Sequence, residues 1–339
     1  MIADALKKLS FREDLSMSEA EEAMDHIMRG EATPAQIAGF VMGLRGKGEK
    51  AVEVAGCVRS MRKHSEMVHV NDSRAVDGCG TGGDGGHTFN VSTTASLIAA
   101  GAGVTVAKHG NRSVSSRCGS ADVLESLGGN VDPGRDAVER HVNEIGFGFM
   151  FAPRFHPAMK HAAPVRKELG VRTVFNILGP LTNPASVRRQ VIGVYDKRVM
   201  RLVAEVLALN GCDHAIVVHS QDGLDEFSIS APSDFIEVHN SAITNGTVHA
   251  DQMGVTVSSL DSIAGGDSSD NARIVRSVVE GSLGAPLNAS LLNAGAMLYV
   301  AERAESIREG VFIARQAVTE GKAVALLDRW ISAGKETIA

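Results

Sequence analysis

Apolar residues recur at three- and four-residue intervals through the first 65 positions, with Leu6, Leu9, Ala23, Ile27, Ile37, Phe40, Val41 and Leu44 marking the stripes. That periodicity predicts amphipathic helices and a small helical lobe. Ser18 with Glu21 three residues on reads as a capping box, and Thr33-Pro34 places a cap before a proline at the first helical position. From Arg74 the pattern changes to short β-like runs, then glycines, then helices, the rhythm of an α/β domain.

Strands are predicted at Ala75 to Asp77, Val104 to Ala107, Phe147 to Phe151, Val191 to Val194, His214 to His219 and Phe235 to Val238. Helices are expected over Ser92 to Ala102, over Ser120 to Leu127 with Ser120 as its cap, and after Asp132-Pro133. Two long amphipathic helices should lie beyond Asn288. Asn245-Gly246 reads as a hairpin turn, so part of the sheet should be antiparallel. The helical segment Pro157 to Gly179 turns polar and basic again and fits with the N-terminal lobe. The expected fold is α/β, with a small all-helical lobe over 1–70, joined by a segment near 160–180, and a large domain over 71–339 around a mostly parallel sheet.

Composition narrows the function. The 339 residues are 44% hydrophobic and 22% charged, the balance of a globular enzyme. A formal charge of −6 without a basic run argues against nucleic acid as a partner. Neither a signal-peptide core nor an apolar run of membrane-spanning length is visible, and the four cysteines are scattered, so a reducing cytoplasmic compartment is expected. His156 and His161 stand five apart instead of four, and no Cys/His cluster has zinc spacing, so the histidines are expected to pack, cap or line a channel.

The candidate chemistry sits after the first strand. Gly80-Thr81-Gly82-Gly83-Asp84-Gly85 satisfies the dinucleotide pattern G-x-G-x-x-G. That pattern also needs an acid at the end of the second strand, where this chain has Lys108-His109, and Asp84 would oppose a bare diphosphate. What remains is a run of unobstructed amides followed by Asn90, Ser92, Thr93 and Thr94 at a helix N-terminus, a place that favours phosphate. Lys108 to Ser113 follow the next strand and should face the same crevice, Lys108 as a mobile point charge and Arg112 as a fork of donors.

The segments GTGGDGGHTFNVST, VAKHGNRSVSSRCGSADVLESLG, HPAMKHAAPVRKELGVRTVFNILGPLTNP and GLDE, with GEATPAQIAGFVMGLRGKGE before them and NAGAMLYVAERAESIREG after, resemble the anthranilate phosphoribosyltransferase family of tryptophan biosynthesis. The resemblance implies a nucleoside phosphorylase-like two-domain fold and a homodimer formed through the helical lobe. It also implies phosphoribosyl pyrophosphate bound with Mg2+ between the lobes. Donor-binding positions carried over are Gly80, Gly83, Asp84, Thr88, Asn90, Val91, Ser92, Thr93, Lys108, His109, Gly110, Asn111, Arg112, Ser113, Val114, Ser115, Ser116 and Ser120. Ser92, Asp225 and Glu226 match metal ligands; Gly80, Asn111 and Arg166 match anthranilate contacts; His109, His156 and Gly179 fall in segments lining the acceptor channel.

Displacing pyrophosphate at the anomeric carbon builds negative charge on the leaving group, which Lys108, the loop amides and a metal held by Asp225 and Glu226 could stabilise. The aromatic amine of anthranilate is unprotonated near neutral pH and needs no strong base, whereas its carboxylate needs a cation, for which Arg166 is the candidate. The rivals are a pyrimidine nucleoside phosphorylase and a non-catalytic nucleic-acid-binding relative of the same fold.

Overall fold

The computed structural model describes residues 2–83, 88–113 and 117–336. Four helices come first, Ile2–Ser10, Met17–Met28, Pro34–Lys47 and Ala51–Lys63. Thr33 caps the third with Gln36 closing the box and Pro34 in the first turn, as expected. The second helix starts two residues earlier than predicted: Ser16, not Ser18, is its cap, and Glu19 returns the bond. Both pairs satisfy the same spacing. Leu15 decides between them, because it is buried just ahead of Ser16 and lies in one apolar cluster with Ala20, the two positions of a hydrophobic staple.

Seven strands follow, β1 (Val76–Gly80), β2 (Val106–Gly110), β3 (Phe147–Phe151), β4 (Arg189–Gly193), β5 (His214–Ser220), β6 (Ser233–His239) and β7 (Ala242–Val248), in the order β3-β2-β1-β4-β5-β6-β7. The pairings among β1 to β5 are parallel, and β6 and β7 are antiparallel. The chain winds outward from β1 through β2 to β3, then crosses to β4 on the other side of β1. The C-terminal ends of β1 and β4 therefore form the topological switch point, where a crevice for ligand opens.

Alternation along the strands sorts side chains onto two faces. Val191, Ile216 and Val218 join one apolar core, built on Val91–Gly101 and the C-terminal helices. Ile192, Ala215 and Val217 join the other, which runs through the helix Met200–Leu209 to Phe40, Val41 and Val54 of the N-terminal bundle. Val165, Phe175 and Leu178, from the helices Ala163–Leu169 and Phe175–Leu181, pack into this second core.

The C-terminal region differs from expectation. Three helices, Ala285–Val300, Ile307–Thr319 and Lys322–Glu336, stand where two amphipathic ones were predicted, and the first is buried on nearly every side. It crosses the second at Gly295 and Gly310, where a Cβ on Gly310 would collide with the Gly295 carbonyl oxygen. The hairpin is real but displaced. Asn240 and Ser241, at φ 49 and 68, make the turn, while Asn245 and Gly246 lie within β7 opposite Ile236 and Phe235. The Phe235 ring covers the Gly246 backbone, so an aromatic side chain shields a glycine on an edge strand.

Candidate functional site

The loop leaving β1 is fastened across the switch point. Thr81 N–H donates to the Gly193 carbonyl at 2.9 Å, and the Thr81 hydroxyl accepts from Tyr195 N–H at 3.0 Å. Gly82 and Gly83 have φ of 63 and 76, a region that only glycine enters freely. Gly80 is required for a different reason: a Cβ there would collide with Asp225 Oδ2.

Asp225 and Glu226 follow β5 and lie flush against this loop. Asp225 Oδ2 accepts the Gly82 N–H at 2.8 Å, and Glu226 Oε1 accepts the Ser92 N–H at 3.0 Å. Ser92 is in the first turn of Val91–Gly101, whose N-cap residue, Asn90, makes no side-chain cap. The Asn90 amide instead bonds the Cys118 carbonyl and Asn271. Glu226 thus caps a helix far away in sequence, and both carboxylates sit on the amides that the sequence reading offered to phosphate. Asn293 fixes the acidic loop by bonding both N–H and C=O of Phe227, at 3.0 and 2.9 Å. Asp222 is occupied by Ser228 and Ser230 and does not share in this arrangement.

Lys108 departs from its expected part as a mobile charge. It is 2% exposed and donates to the Gly78 carbonyl at 2.5 Å, beneath the loop. A central strand of a parallel sheet is covered on both faces, so a side chain pointing either way is enclosed. Beside it, burial pushes the Asp77 carboxyl up, against the opposing pull of the Lys108 charge, the Asn183 amide at 2.8 Å and the His109 N–H.

Arg112 also differs. Its guanidinium forks onto Glu125 at 2.7 and 3.1 Å and reaches Asp122 at 3.1 Å, so it faces acids and not the crevice. Asp122 further accepts the Ser113 and Gly119 N–H groups, which makes Gly119, not Ser120, the N-cap of the helix Ser120–Ser126. The Ser120 hydroxyl turns back to the Asn111 carbonyl at 3.2 Å. Thr88 pairs with Ala264 in an isolated bridge, and the Thr93 hydroxyl is buried without a partner among the described residues. Asp84, Val114, Ser115 and Ser116 lie outside the described residues.

The residues expected on the acceptor side are a polar pair and a cation. His109 and His156 are buried with ring centroids 5.0 Å apart, and His109 Nδ1 donates to the Gly179 carbonyl at 3.2 Å. Burial pushes their pKa values down to about 3 and about 4, so both are neutral at pH 7. The Thr182 carbonyl engages His156, and Nε2 of each ring has no partner among the described residues. Each of these neighbouring rings therefore keeps a buried acceptor nitrogen without a partner among the described residues. Arg166 is partly buried, which draws its pKa down, and lies 5.2 Å above the Phe175 ring. Its guanidinium has no ion pair or hydrogen bond among the described residues.

Arg172 and Tyr195 were not singled out from the sequence. The Arg172 guanidinium lies 3.7 Å from the centroid of the Tyr195 ring and donates to the Gly83 carbonyl, tying the glycine loop to the segment between Ala163–Leu169 and Phe175–Leu181. A lone arginine after a helix-ending glycine carries no spacing that would reveal this.

Oxygen ligands from Asp225, Glu226 and the Ser92 hydroxyl suit a hard cation, and the contact of Glu226 with Ser92 N–H brings two of these residues together. A helical bundle on a mostly parallel sheet, with a glycine loop, a helix N-terminus and an acid pair meeting at the switch point, defines a two-domain transferase. Residues 3–65 match the glycosyl transferase family, helical bundle domain, and residues 72–324 match the glycosyl transferase family, a/b domain. The chain belongs to the anthranilate phosphoribosyltransferase family.

The anthranilate phosphoribosyltransferase of Thermomicrobium roseum is 50% identical over 333 residues, spanning 97% of this chain and 96% of the relative. The crystal structure of the Thermus thermophilus enzyme superposes with a TM-score of 0.93 at 40% identity, covering 98% of this chain and 99% of that one. The Saccharomyces cerevisiae enzyme in complex with PRPP and Mg gives 0.90 at 27% identity, covering 99% and 98%.

Proposed function

We propose that this chain transfers the phosphoribosyl group from phosphoribosyl pyrophosphate to the amine of anthranilate, releasing pyrophosphate, in tryptophan biosynthesis. One observation carries the reading: Asp225 and Glu226 rest on the Gly82 and Ser92 amides, so the metal-ligating acids and the anion-binding donors form a single unit. When bound, magnesium supplies charge that offsets the negative charge developing on the departing pyrophosphate. Ser92, Asp225 and Glu226 would hold it, and the amides they vacate become donors to pyrophosphate oxygens. Lys108 acts from beneath, adding positive potential at the end of β1. The remaining donor contacts fall between Gly80 and Ser120.

Arg166 anchors the anthranilate carboxylate, a counter-ion for a guanidinium that has none among the described residues. The bare Nε2 atoms of His109 and His156 accept from the aromatic amine and orient its lone pair towards the sugar. Asn111, Gly179 and Gly80 complete the acceptor side. The helical domain comprises residues 1–70 with the segment near 160–180, and the catalytic domain residues 71–339. A homodimer through the helical lobe is supported by exposed Phe11, Met42 and Val52, and a cytoplasmic setting by four scattered free cysteines. Among the described residues no helix is long and apolar enough to cross a membrane.

The test is a single cuvette holding protein, phosphoribosyl pyrophosphate, magnesium and anthranilate, followed by anthranilate fluorescence with a chelator control. A loss of signal that requires magnesium supports the reading; no such loss would refute it.

A further inference from the structure

A second cluster of ligating side chains lies at the far end of β5 from the acid pair. His214 opens β5, directly opposite His239 at the end of β6, and Glu302 follows the helix Ala285–Val300. Ligand atoms of the three lie within 4.8 Å of one another. We propose that His214, His239 and Glu302 form a binding site for a transition-metal ion of the zinc class, separate from the magnesium site.

His214 Nε2 is 2.7 Å from Glu237 Oε1, and that oxygen also receives the Tyr299 hydroxyl at 2.8 Å. A carboxylate can only accept, so Nε2 carries a proton, and in the neutral ring Nδ1 keeps its lone pair. The His214 side chain is 2% exposed, and Nδ1 is buried without a hydrogen-bond partner among the described residues. A carboxylate behind one ring nitrogen and a bare lone pair on the other is how metal-binding histidines are oriented.

The other two ligands are placed to meet it. The His239 ring stacks on His214 with centroids 4.3 Å apart and planes 12° apart. Because it is exposed beside the Asn240-Ser241 turn, it can swing from the stack to direct a nitrogen at the ion. Glu302 sits at φ 55, a left-handed conformation rare for a side chain of its kind and usual for glycine just past a helix end. Arg189 Nη2, 2.9 Å from Glu302 Oε1, holds the carboxylate as ligating carboxylates are held by a second layer of donors. Two imidazoles and a carboxylate with an open position suit zinc better than magnesium. The sequence hid this set, because 25 and 63 residues separate neighbouring ligands (239 − 214 and 302 − 239).

The experiment titrates Zn2+ calorimetrically into the metal-free full-length chain, with excess Mg2+ present to fill oxygen-rich sites. The difference between the wild-type chain and His239→Ala isolates the cluster. His239→Ala and Glu302→Gln should each weaken one zinc site by about tenfold or more, and Glu237→Gln, which leaves all three ligands in place, by roughly ten- to hundredfold. Zn2+ should raise the thermal midpoint of the wild-type chain and not that of His239→Ala, with circular dichroism confirming the fold of each variant. Equal zinc affinity in the wild-type chain and His239→Ala would overturn the site, as would a wild-type chain that binds no zinc. A loss in His239→Ala with none in Glu302→Gln would overturn the three-ligand set.

Discussion

Replacing both site acids by their amides, Asp225→Asn with Glu226→Gln, should make the protein bind pyrophosphate better in the absence of metal while destroying transfer. The Gly82 and Ser92 N–H groups donate to these carboxylates, at 2.8 and 3.0 Å. An incoming diphosphate must displace charge-assisted hydrogen bonds, each worth about 1.5–3 kcal/mol. It must then sit beside two like charges, and one such pair at about 4 Å with an effective dielectric near 20 costs about 4 kcal/mol.

Asparagine and glutamine keep a carbonyl oxygen for the same N–H groups but carry no charge, so the loop and the helix cap should hold. If only a third of one repulsion is recovered, metal-free pyrophosphate binds about tenfold more tightly, ~1.4 kcal/mol. Isothermal titration calorimetry with pyrophosphate and a chelator, on wild type and double variant, measures this directly. The fluorescence assay with magnesium should show most of the activity gone from the variant. Unchanged or weaker metal-free binding in the double variant would refute the idea that the acids screen the cradle. Full activity would place the metal elsewhere.

Other outcomes follow from the same geometry. Arg166→Ala should raise the anthranilate KM about tenfold or more, the loss of roughly 1.5–3 kcal/mol from a charged contact, and leave the donor KM nearly unchanged; equal rises in steady-state kinetics would remove Arg166 from the acceptor side. Arg172→Ala should raise the donor KM about tenfold with little change in that for anthranilate, and lysine should not restore it, because an ammonium cannot both lie flat on Tyr195 and reach Gly83; a fully active lysine variant would contradict this. His109 and His156 have pKa values pushed down to about 3 and about 4 from an ordinary 6.5, so the unfolded chain binds more protons than the folded one below pH 6.5. Their contribution to stability is therefore intact above pH 6.5 and falls as pH drops towards 4. At pH 5 the loss is about 4 kcal/mol for the pair, and denaturant titrations at the two pH values should show it shrink in a His109→Asn, His156→Asn double variant.

How much of this was legible in the sequence depended on whether the deciding partner was near along the chain. Thr33-Pro34 and Gly80 to Gly83 announce themselves, because caps and left-handed turns are set by the residues themselves. The acid pair could be named, but its seat on the Gly82 and Ser92 amides could not, since a contact across 143 or 134 positions leaves no periodicity. Lys108 departs from its expected part for a related reason. Residue type argues for an exposed charge, whereas its place on β2, between β1 and β3, encloses it.

For Arg112 the chain carries a local clue: Asp122 and Glu125, three apart on the next helix, are spaced to share one face and receive a guanidinium. That contact is itself informative, because it stores the donor fork against two acids while the glycine loop stores its amides against two others. Two elements thus rest on the protein's own carboxylates, the Gly82 and Ser92 amides on Asp225 and Glu226 and the Arg112 fork on Glu125 and Asp122. On the site proposed above, binding the donor would be an exchange of anions at these groups, and a metal-bound pyrophosphate would be favoured over free phosphate because it brings a cation to the acids it displaces.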